Sequence, residues 1–360
     1  MILARSFQVQ AADVDALARR VGRQVSVRVG TPVVLLTGLD EETARSLGGA
    51  GDSAVLAELV SARLPPDIAK LLLARAPSEL EFGARRWSLE DGPLMLGIVN
   101  VTPDSFSDGG RHATTEAAVE HAHRLIDEGA QLLDVGGEST RPGAAAVSVE
   151  EECARVLPVI EALVKGTQGA PISIDTSKAE VARRALDAGA TLVNDVTALS
   201  DPNMGAVIAK ANAGVCLMHM QGTPRTMQVK PEYGDVVHEV AEALSIAIDR
   251  AVAAGVQRSR VLIDPGIGFG KTLEHNLLLL RHLGAFRALG APILLGTSRK
   301  SFLGALTEEK DPAKRLIPSV TSVAIAAAQG TVDIVRVHDV AATREALQVA
   351  KAVRRGAHSR

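Results

Sequence analysis

Aromatic side chains are scarce in this chain. Phe, Tyr and Trp make up 2% of its 360 residues, as six Phe, one Tyr and one Trp. A core built on rings is excluded, so the interior must be aliphatic, and any aromatic residue outside it needs a reason. Cysteine is nearly absent too. Cys153 and Cys216 are the two present, and neither has a companion at metal-ligand spacing. A disulfide scaffold is excluded, and two reduced thiols of a cytosolic protein are expected. No sign of charge dominates: the net charge is −3, with 22% of residues charged. A nucleic-acid groove would need a basic surplus, so no nucleic-acid partner is expected. No run is long and apolar enough to span a bilayer. The opening MILARSFQVQ lacks the basic segment and long apolar stretch of a signal peptide. The expectation is a cytoplasmic protein with no membrane partner.

What is present is a repeating unit. From about Pro93, a short Leu- or β-branched-rich run ends in a polar residue, and an amphipathic helical pattern follows. The strand candidates are LMLGIVN, QLLDVGG, PISID, TLVND, GVCLMH, RVLID, PILLGTS and VDIVRVH. Helical patterns lie between them, among them SVEEECARVLPVIEALVKG, LEHNLLLLRHLGAF and SVTSVAIAAAQG, several with Gly just past the end. Near-continuous apolar strands alternating with helices imply a parallel sheet covered by helices. Eight such units in about 250 residues predict an α/β fold of the closed (β/α)8 TIM-barrel type. An open doubly wound sheet is the alternative, but no GxGxxG follows an early strand.

Residues 1–83 read differently, as a small α/β N-terminal module of unknown role without a catalytic pattern. Residues 84–360 form the barrel domain in this reading. WSLEDGP, just ahead of the first barrel strand, is expected to form a hairpin that plugs the barrel bottom.

The strand ends carry the chemistry. They are Asn100, Asp134, Asp175, Asn194 with Asp195, His219, Asp264, Ser298 with Arg299 and Lys300, and Arg336 with His338. In a parallel barrel all of them face one mouth, where active sites are built. A single Asp there could be a helix cap. Four strands ending in Asp are harder to explain that way. Converging carboxylates raise one another's pKa unless donors or cations separate them, so the mouth should bind something rich in N–H groups. Phe106 in NVTPDSFSDGG, Phe269 in DPGIGFGK and Phe302 in SRKSFLG all follow closely after strands. With the Asp and Asn tips they point to a flat heteroaromatic ligand. Thr140 and Arg141, with Lys300, Arg336 and His338, suit a phosphate or carboxylate. His219 has no second ligand at metal spacing and reads as a hydrogen-bonded rim residue. His112, His121, His123, His238, His275 and His282 read as surface.

The segments LGIVNVTPDSFSDGG, LLDVGGESTRPG, ISIDTS, LVND, LMHMQGTP, LIDPGIGFGK, GTSRKSFLG and IVRVHDV together resemble the signature of the dihydropteroate synthase family. They occur in the family's order from about Trp87 to the last helix. The N-terminal module is the departure, because minimal members lack it. The resemblance implies condensation of 4-aminobenzoate with 6-hydroxymethyl-7,8-dihydropterin pyrophosphate, giving 7,8-dihydropteroate and pyrophosphate. It implies that Asp264, Asp175 and Asn194 meet the pterin edge, that Lys300 reaches its carbonyl side and that Arg336 covers its face. Met218 and Phe269 shape the slot. Asn100 is the implied ligand of a Mg²⁺ carried by the pyrophosphate. Thr140, Arg141 and His338 are implied near the pyrophosphate and its loops. Ser301 would hold the aminobenzoate carboxylate, under Phe106 and Pro142. Asp134 would orient the loops and the ionic network. A homodimer through outer helices near Ser319–Gly330 and the C-terminus is also implied. A pterin-dependent methyltransferase, or a non-catalytic pterin-binding protein, is the alternative. A methyltransferase would lack the two long loop motifs, and a silent binder would bind pterin without turnover.

Overall fold

The computed structural model describes residues 3–6, 26–30, 33–37, 79–83, 85–102, 110–139, 146–167 and 169–355. Three short strands come first: β1 (Leu3–Ser6), β2 (Ser26–Gly30) and β3 (Val33–Thr37), antiparallel in the order β1-β3-β2. Their alternating and β-branched content suits extended pairing. The rest of the small α/β module expected over residues 1–83, at 7–25, 31–32 and 38–78, lies outside the described residues.

A hairpin follows, β4 (Glu79–Phe82) and β5 (Arg85–Ser88), with Leu80 opposite Trp87. Alternation sends Glu79 and Glu81 outward and Leu80 and Phe82 inward. Both inward residues are fully buried, against Leu94, Leu96, Leu132, Leu192, Cys216 and Leu262 at the N-terminal end of the barrel interior. The plug is therefore real, but its first strand is ELEF. WSLEDGP supplies only the end of β5 and the 3₁₀ turn Leu89–Asp91. Gly214 answers the plug from the other side, because a Cβ there would come 2.6 Å from the Phe82 ring.

The barrel strands are β6 (Leu94–Asn100), β7 (Leu132–Gly136), β8 (Ile172–Asp175), β9 (Leu192–Asp195), β10 (Gly214–Met218), β11 (Val261–Asp264), β12 (Leu294–Leu295) and β13 (Ile334–Val337). Neighbours in sequence pair in parallel from β6 to β11 and from β12 to β13, and β13 returns to β6. A parallel bridge between Ile263 and Ile293 joins β11 to the residue before β12, and Ile263 N donates to Pro292 O at 3.0 Å. Those contacts close the ring into the expected (β/α)8 barrel. The helices around it are α1 (Gly110–Glu128), α2 (Val149–Gly166), α3 (Ala179–Asp187), α4 (Met204–Lys210), α5 (Val236–Ala253), α6 (Leu273–Arg281), α7 (Ser301–Thr307), α8 (Leu316–Ala328) and α9 (Val340–Arg355).

Local chemistry sets many of these limits. Ser148 caps α2 by accepting from Glu151 N at 3.1 Å, and Asp235 caps α5 by accepting from Val237 N and His238 N. Gly255 ends α5 at φ +97°, a conformation costly for any other residue. The segment expected as one helix over LEHNLLLLRHLGAF breaks at His282 into α6 and a 3₁₀ turn, Leu283–Leu289. Between barrel and helices lies a continuous core of Ala, Val, Leu and Ile, in which Phe286 and Phe302 are the buried rings. Each buried aliphatic side chain contributes roughly 1.5–3 kcal/mol. Among the described residues, no helix is long and apolar enough to cross a membrane.

Candidate active site

The strand tips meet as the barrel geometry requires. In register, Asp175 lies beside Asn194, Asn194 beside Cys216, and Met218 beside Asp264. Arg336, from β13, reaches across the mouth with its guanidinium fork. Its Nε donates to Asp134 Oδ2 at 2.6 Å and its Nη2 to Asp175 Oδ2 at 2.7 Å. Asn194 Nδ2 donates to the same Asp134 oxygen at 3.0 Å. Four side chains from four strands thus form one network, with Asp134 buried at its base. Asp134 Oδ1, also buried, has no hydrogen-bond partner in the protein. Burial works against the charge on Arg336, but Asp134 and Asp175 outweigh it and push its pKa up. Asp175 is pushed up to about 7 by burial, with Arg336 pulling it back and Asp134 adding to the rise.

Asp264 and Lys300 form the other half. Asp264 Oδ1 accepts from Gly266 N at 2.7 Å, and its second oxygen is available to a ligand. Burial raises the Asp264 pKa against the pull of Lys300. Lys300 Nζ donates to Ile267 O and stands 4.6 Å from the Phe269 ring centroid. Burial lowers Lys300 to about 8, opposed first by Asp264. Gly296, just after β12, is the meeting point. A Cβ there would lie 3.7 Å from Lys300 Nζ, 3.9 Å from Arg336 Cβ and 3.9 Å from Asp264 Oδ2. The absent side chain leaves room between the Lys300 ammonium, the Asp264 carboxylate and the base of the Arg336 side chain for something flat.

The other expected site residues spread around this centre. Met218 is buried at the β10 tip, and Asn100 ends β6 half-buried at the mouth. Ser301 opens α7, directly after Lys300. His338 follows β13, with its Nδ1 3.0 Å from Ser298 Oγ, and its backbone N donates to that hydroxyl at 3.2 Å. Phe106, Thr140, Arg141 and Pro142 lie outside the described residues. Phe302, grouped with the ligand rings by sequence, is buried in the aliphatic core instead.

Asp195 turns away from the mouth. Its carboxylate accepts from Thr197 N, Thr197 Oγ1 and Leu199 N, and so caps the following turn. His219 is hydrogen-bonded as expected: its Nδ1 lies 3.0 Å from Lys271 Nζ. Burial, then Lys271, lowers it to about 3. His121 is less exposed than its helix suggested, with its Nε2 3.3 Å from Ile98 O. Two lysines carry networks that the sequence did not announce. Lys178 Nζ bridges Glu138 Oε2 at 2.6 Å and Glu152 Oε2 at 2.5 Å. Lys271 is buried behind the glycine loop. The one sequence signal for it was its place at the end of DPGIGFGK.

Fold and mouth together define a pterin-binding enzyme barrel: the family model described as pterin binding enzyme matches residues 96–338. The dihydropteroate synthase of Escherichia coli K12 is 51% identical over 262 residues, covering 72% of this chain and 91% of that protein. The one from Neisseria meningitidis serogroup C is 50% identical over 267 residues, covering 73% of this chain and 93% of that protein. The Xanthomonas albilineans dihydropteroate synthase, solved with 4-aminobenzoic acid, superposes with a TM-score of 0.72 at 51% identity, covering 77% of this chain and 98% of that one. A second structure of that enzyme holds 7,8-dihydropteroate and superposes with a TM-score of 0.69 at 48% identity, covering 76% and 98%. The chain belongs to the dihydropteroate synthase family. It is a transferase that condenses 4-aminobenzoate with 6-hydroxymethyl-7,8-dihydropterin pyrophosphate, releasing pyrophosphate and forming 7,8-dihydropteroate for folate.

Proposed function

We propose that the pterin ring enters the gap beside Gly296 and that the barrel residues divide its polar edge between them. Asp264 accepts from the aminopyrimidinone N–H groups, while Asp175 and Asn194 meet the other ring nitrogens. Lys300 donates to the carbonyl side, Arg336 covers the ring face, and Met218 and Phe269 bound the slot. Ser301 holds the aminobenzoate carboxylate at the start of α7, with Phe106 and Pro142 over its ring. The observation that carries this reading is the convergence of Asp264, Lys300 and Arg336 on one glycine, with Arg336 already tied to Asp134 and Asp175. A ring rich in N–H donors suits carboxylates whose pKa values burial has raised.

The reaction needs little proton chemistry. An electron-rich dihydropterin can carry positive charge on its methylene carbon as the C–O bond to pyrophosphate breaks. The weakly basic arylamine then attacks that carbon and loses a proton to solvent. The protein's part is to orient both rings, exclude water and receive the charge of the leaving group, through Arg336, His338, Thr140 and Arg141. Asp134 holds Arg336 in place rather than moving a proton.

Among the described residues, no three or more His, Cys, Asp and Glu group as a metal cage. Asn100 instead offers one hard amide oxygen at the mouth. That fits a Mg²⁺ that arrives on the diphosphate and completes its shell with phosphate oxygens and water. When bound, it neutralises leaving-group charge. The test is pyrophosphate release with both substrates. Release should require aminobenzoate and stop on chelation, and activity in full chelator would remove the metal from the reading.

The pH profile follows from Lys300. With its pKa lowered to about 8, the free enzyme holds the needed charge only below that pH. Therefore kcat/KM should fall above about pH 8 with the loss of one proton, and Lys300→Arg should move that limb upward. A limb that stays in place in Lys300→Arg would assign it to another group.

A dimer face, a domain boundary and a location complete the proposal. Ile317, Ile325, Val349 and Val353 are exposed on the adjacent helices α8 and α9. They form an apolar face suited to a second copy of the chain. Ile325→Glu with Val349→Glu should convert a dimer to a monomer in sedimentation, and a monomeric wild type at micromolar concentration would refute it. The barrel domain is best begun at Glu79 instead of residue 84, because Leu80 and Phe82 fill the barrel bottom. A cytoplasmic location fits the two buried, unpaired thiols.

A further inference from the structure

Lys271 ends the glycine loop that starts at Asp264, and none of the roles above uses it. The residue is 3% exposed, although lysine normally keeps its ammonium in water. The chain folds back on its own loop. Its three N–H bonds meet three acceptors: Phe269 O at 2.9 Å, His219 Nδ1 at 3.0 Å and His219 O at 3.4 Å. Two acceptors belong to the exit of β10 and one to the exit of β11. The two exits lie in close contact. A Cβ at Gly266 would come 1.8 Å from His219 O, and one at Gly270 would come 2.5 Å from Gln221 O.

The loop needs a fastening. Gly266, Gly268 and Gly270 take φ of +69°, +84° and +62°, and glycine loses the most freedom of any residue when fixed. Lys300 and Lys271 donate to alternate carbonyls of this loop, Ile267 O and Phe269 O. Phe269 is thus held twice, by its carbonyl on Lys271 and by its ring beneath Lys300. We infer that Lys271 is a positioning residue for the pterin slot, pinning the glycine loop to the β10 exit so that the Asp264 carboxylate and the Phe269 ring stand ready beside Lys300. This rests on the reading of Asp264 and Lys300 as pterin contacts. The ionisation of the pair agrees. Burial lowers Lys271 to about 7 against the pull of Asp264, so all three N–H bonds are present below that pH, where His219 stays neutral with its Nδ1 able to accept.

The test is Lys271→Met in the full chain, assayed beside Asp264→Asn. Lys271→Met should raise KM for the pterin pyrophosphate by about tenfold and leave kcat within about threefold, the pattern of a lost preformed site. Nitrogen-15 NMR of the imidazoles supplies a second readout. Read at about pH 6, His219 should be neutral in the wild type, and its Nδ1 resonance should move once the Lys271 ammonium no longer donates to it. A freed His219 with KM within about twofold of wild type would overturn the inference, as would a fall in kcat at constant KM. Should Lys271→Met fail to fold, His219→Leu removes one of the three acceptors. It should raise the same KM by about threefold, and an unchanged KM there overturns the inference equally. Full activity in Asp264→Asn would remove the slot reading itself. An inactive Asp264→Asn beside an unaffected Lys271→Met would sink the Lys271 role alone.

Discussion

Asp264→Asn is expected to lower kcat/KM for the pterin pyrophosphate by about two orders of magnitude, with the folded state retained. The substitution keeps the shape of the side chain and exchanges one acceptor oxygen for a donor. In the structure Asp264 Oδ1 is already held by Gly266 N at 2.7 Å, which orients the outer oxygen. Two charge-assisted hydrogen bonds to a ligand are each worth about 1.5–3 kcal/mol. Losing both, and facing ligand N–H groups with an amide N–H, gives roughly 3 kcal/mol or more, about a hundredfold. Steady-state pyrophosphate release checks the rate, and calorimetric titration with a pterin checks binding. A kcat/KM within about threefold of wild type would contradict the slot.

Arg336→Met should damage both stability and catalysis. The guanidinium is the shared partner of Asp134 and Asp175, and Asp134 is wholly buried. Removing one partner of a buried ionic network leaves an uncompensated charge, at a cost of about 3–5 kcal/mol. For a barrel of this size that corresponds to roughly 10 °C in Tm. The pH dependence has a definite sign. Without Arg336 the pull that holds Asp175 down is lost, and its folded-state pKa rises further above its unfolded value. The deficit is then full above that folded value and shrinks as pH falls through it. Asp175 already sits at about 7 with the arginine present. The Tm gap between variant and wild type should therefore be narrower at pH 5 than at pH 8. A gap independent of pH would mean that the arginine stabilises by packing alone.

Much of this site was legible because a barrel strand is short and its last residues have few places to go. Asp134, Asp175, Asn194, Asp264 and Arg336 could be read as one mouth before any coordinates, since parallel strands end at one side. Alternation decided what that reading missed. Asn194 and Asp195 are adjacent in sequence, so only one could face inward, and Asp195 became the cap of a turn. Phe302 looked like Phe269, a ring just past a strand. The one-turn start of α7 carries it into the core. Lys178 and Lys271 were not legible, because a buried lysine is identified by the acceptors folded around it, which no local pattern records. Glu152 was one of three acidic residues in a helix's first turn. Its complete burial against Lys178 depends on a loop 26 positions away.

The plug at the barrel bottom has an optical consequence. The single tryptophan of the chain, Trp87, lies in that hairpin with its ring 6.4 Å from Phe82, at the opposite end of the barrel from the strand tips. Its emission therefore reports the seating of the hairpin. Filling the mouth with a non-absorbing ligand should leave the emission wavelength unchanged. A red shift that precedes loss of far-ultraviolet ellipticity in denaturant would time the moment the bottom opens.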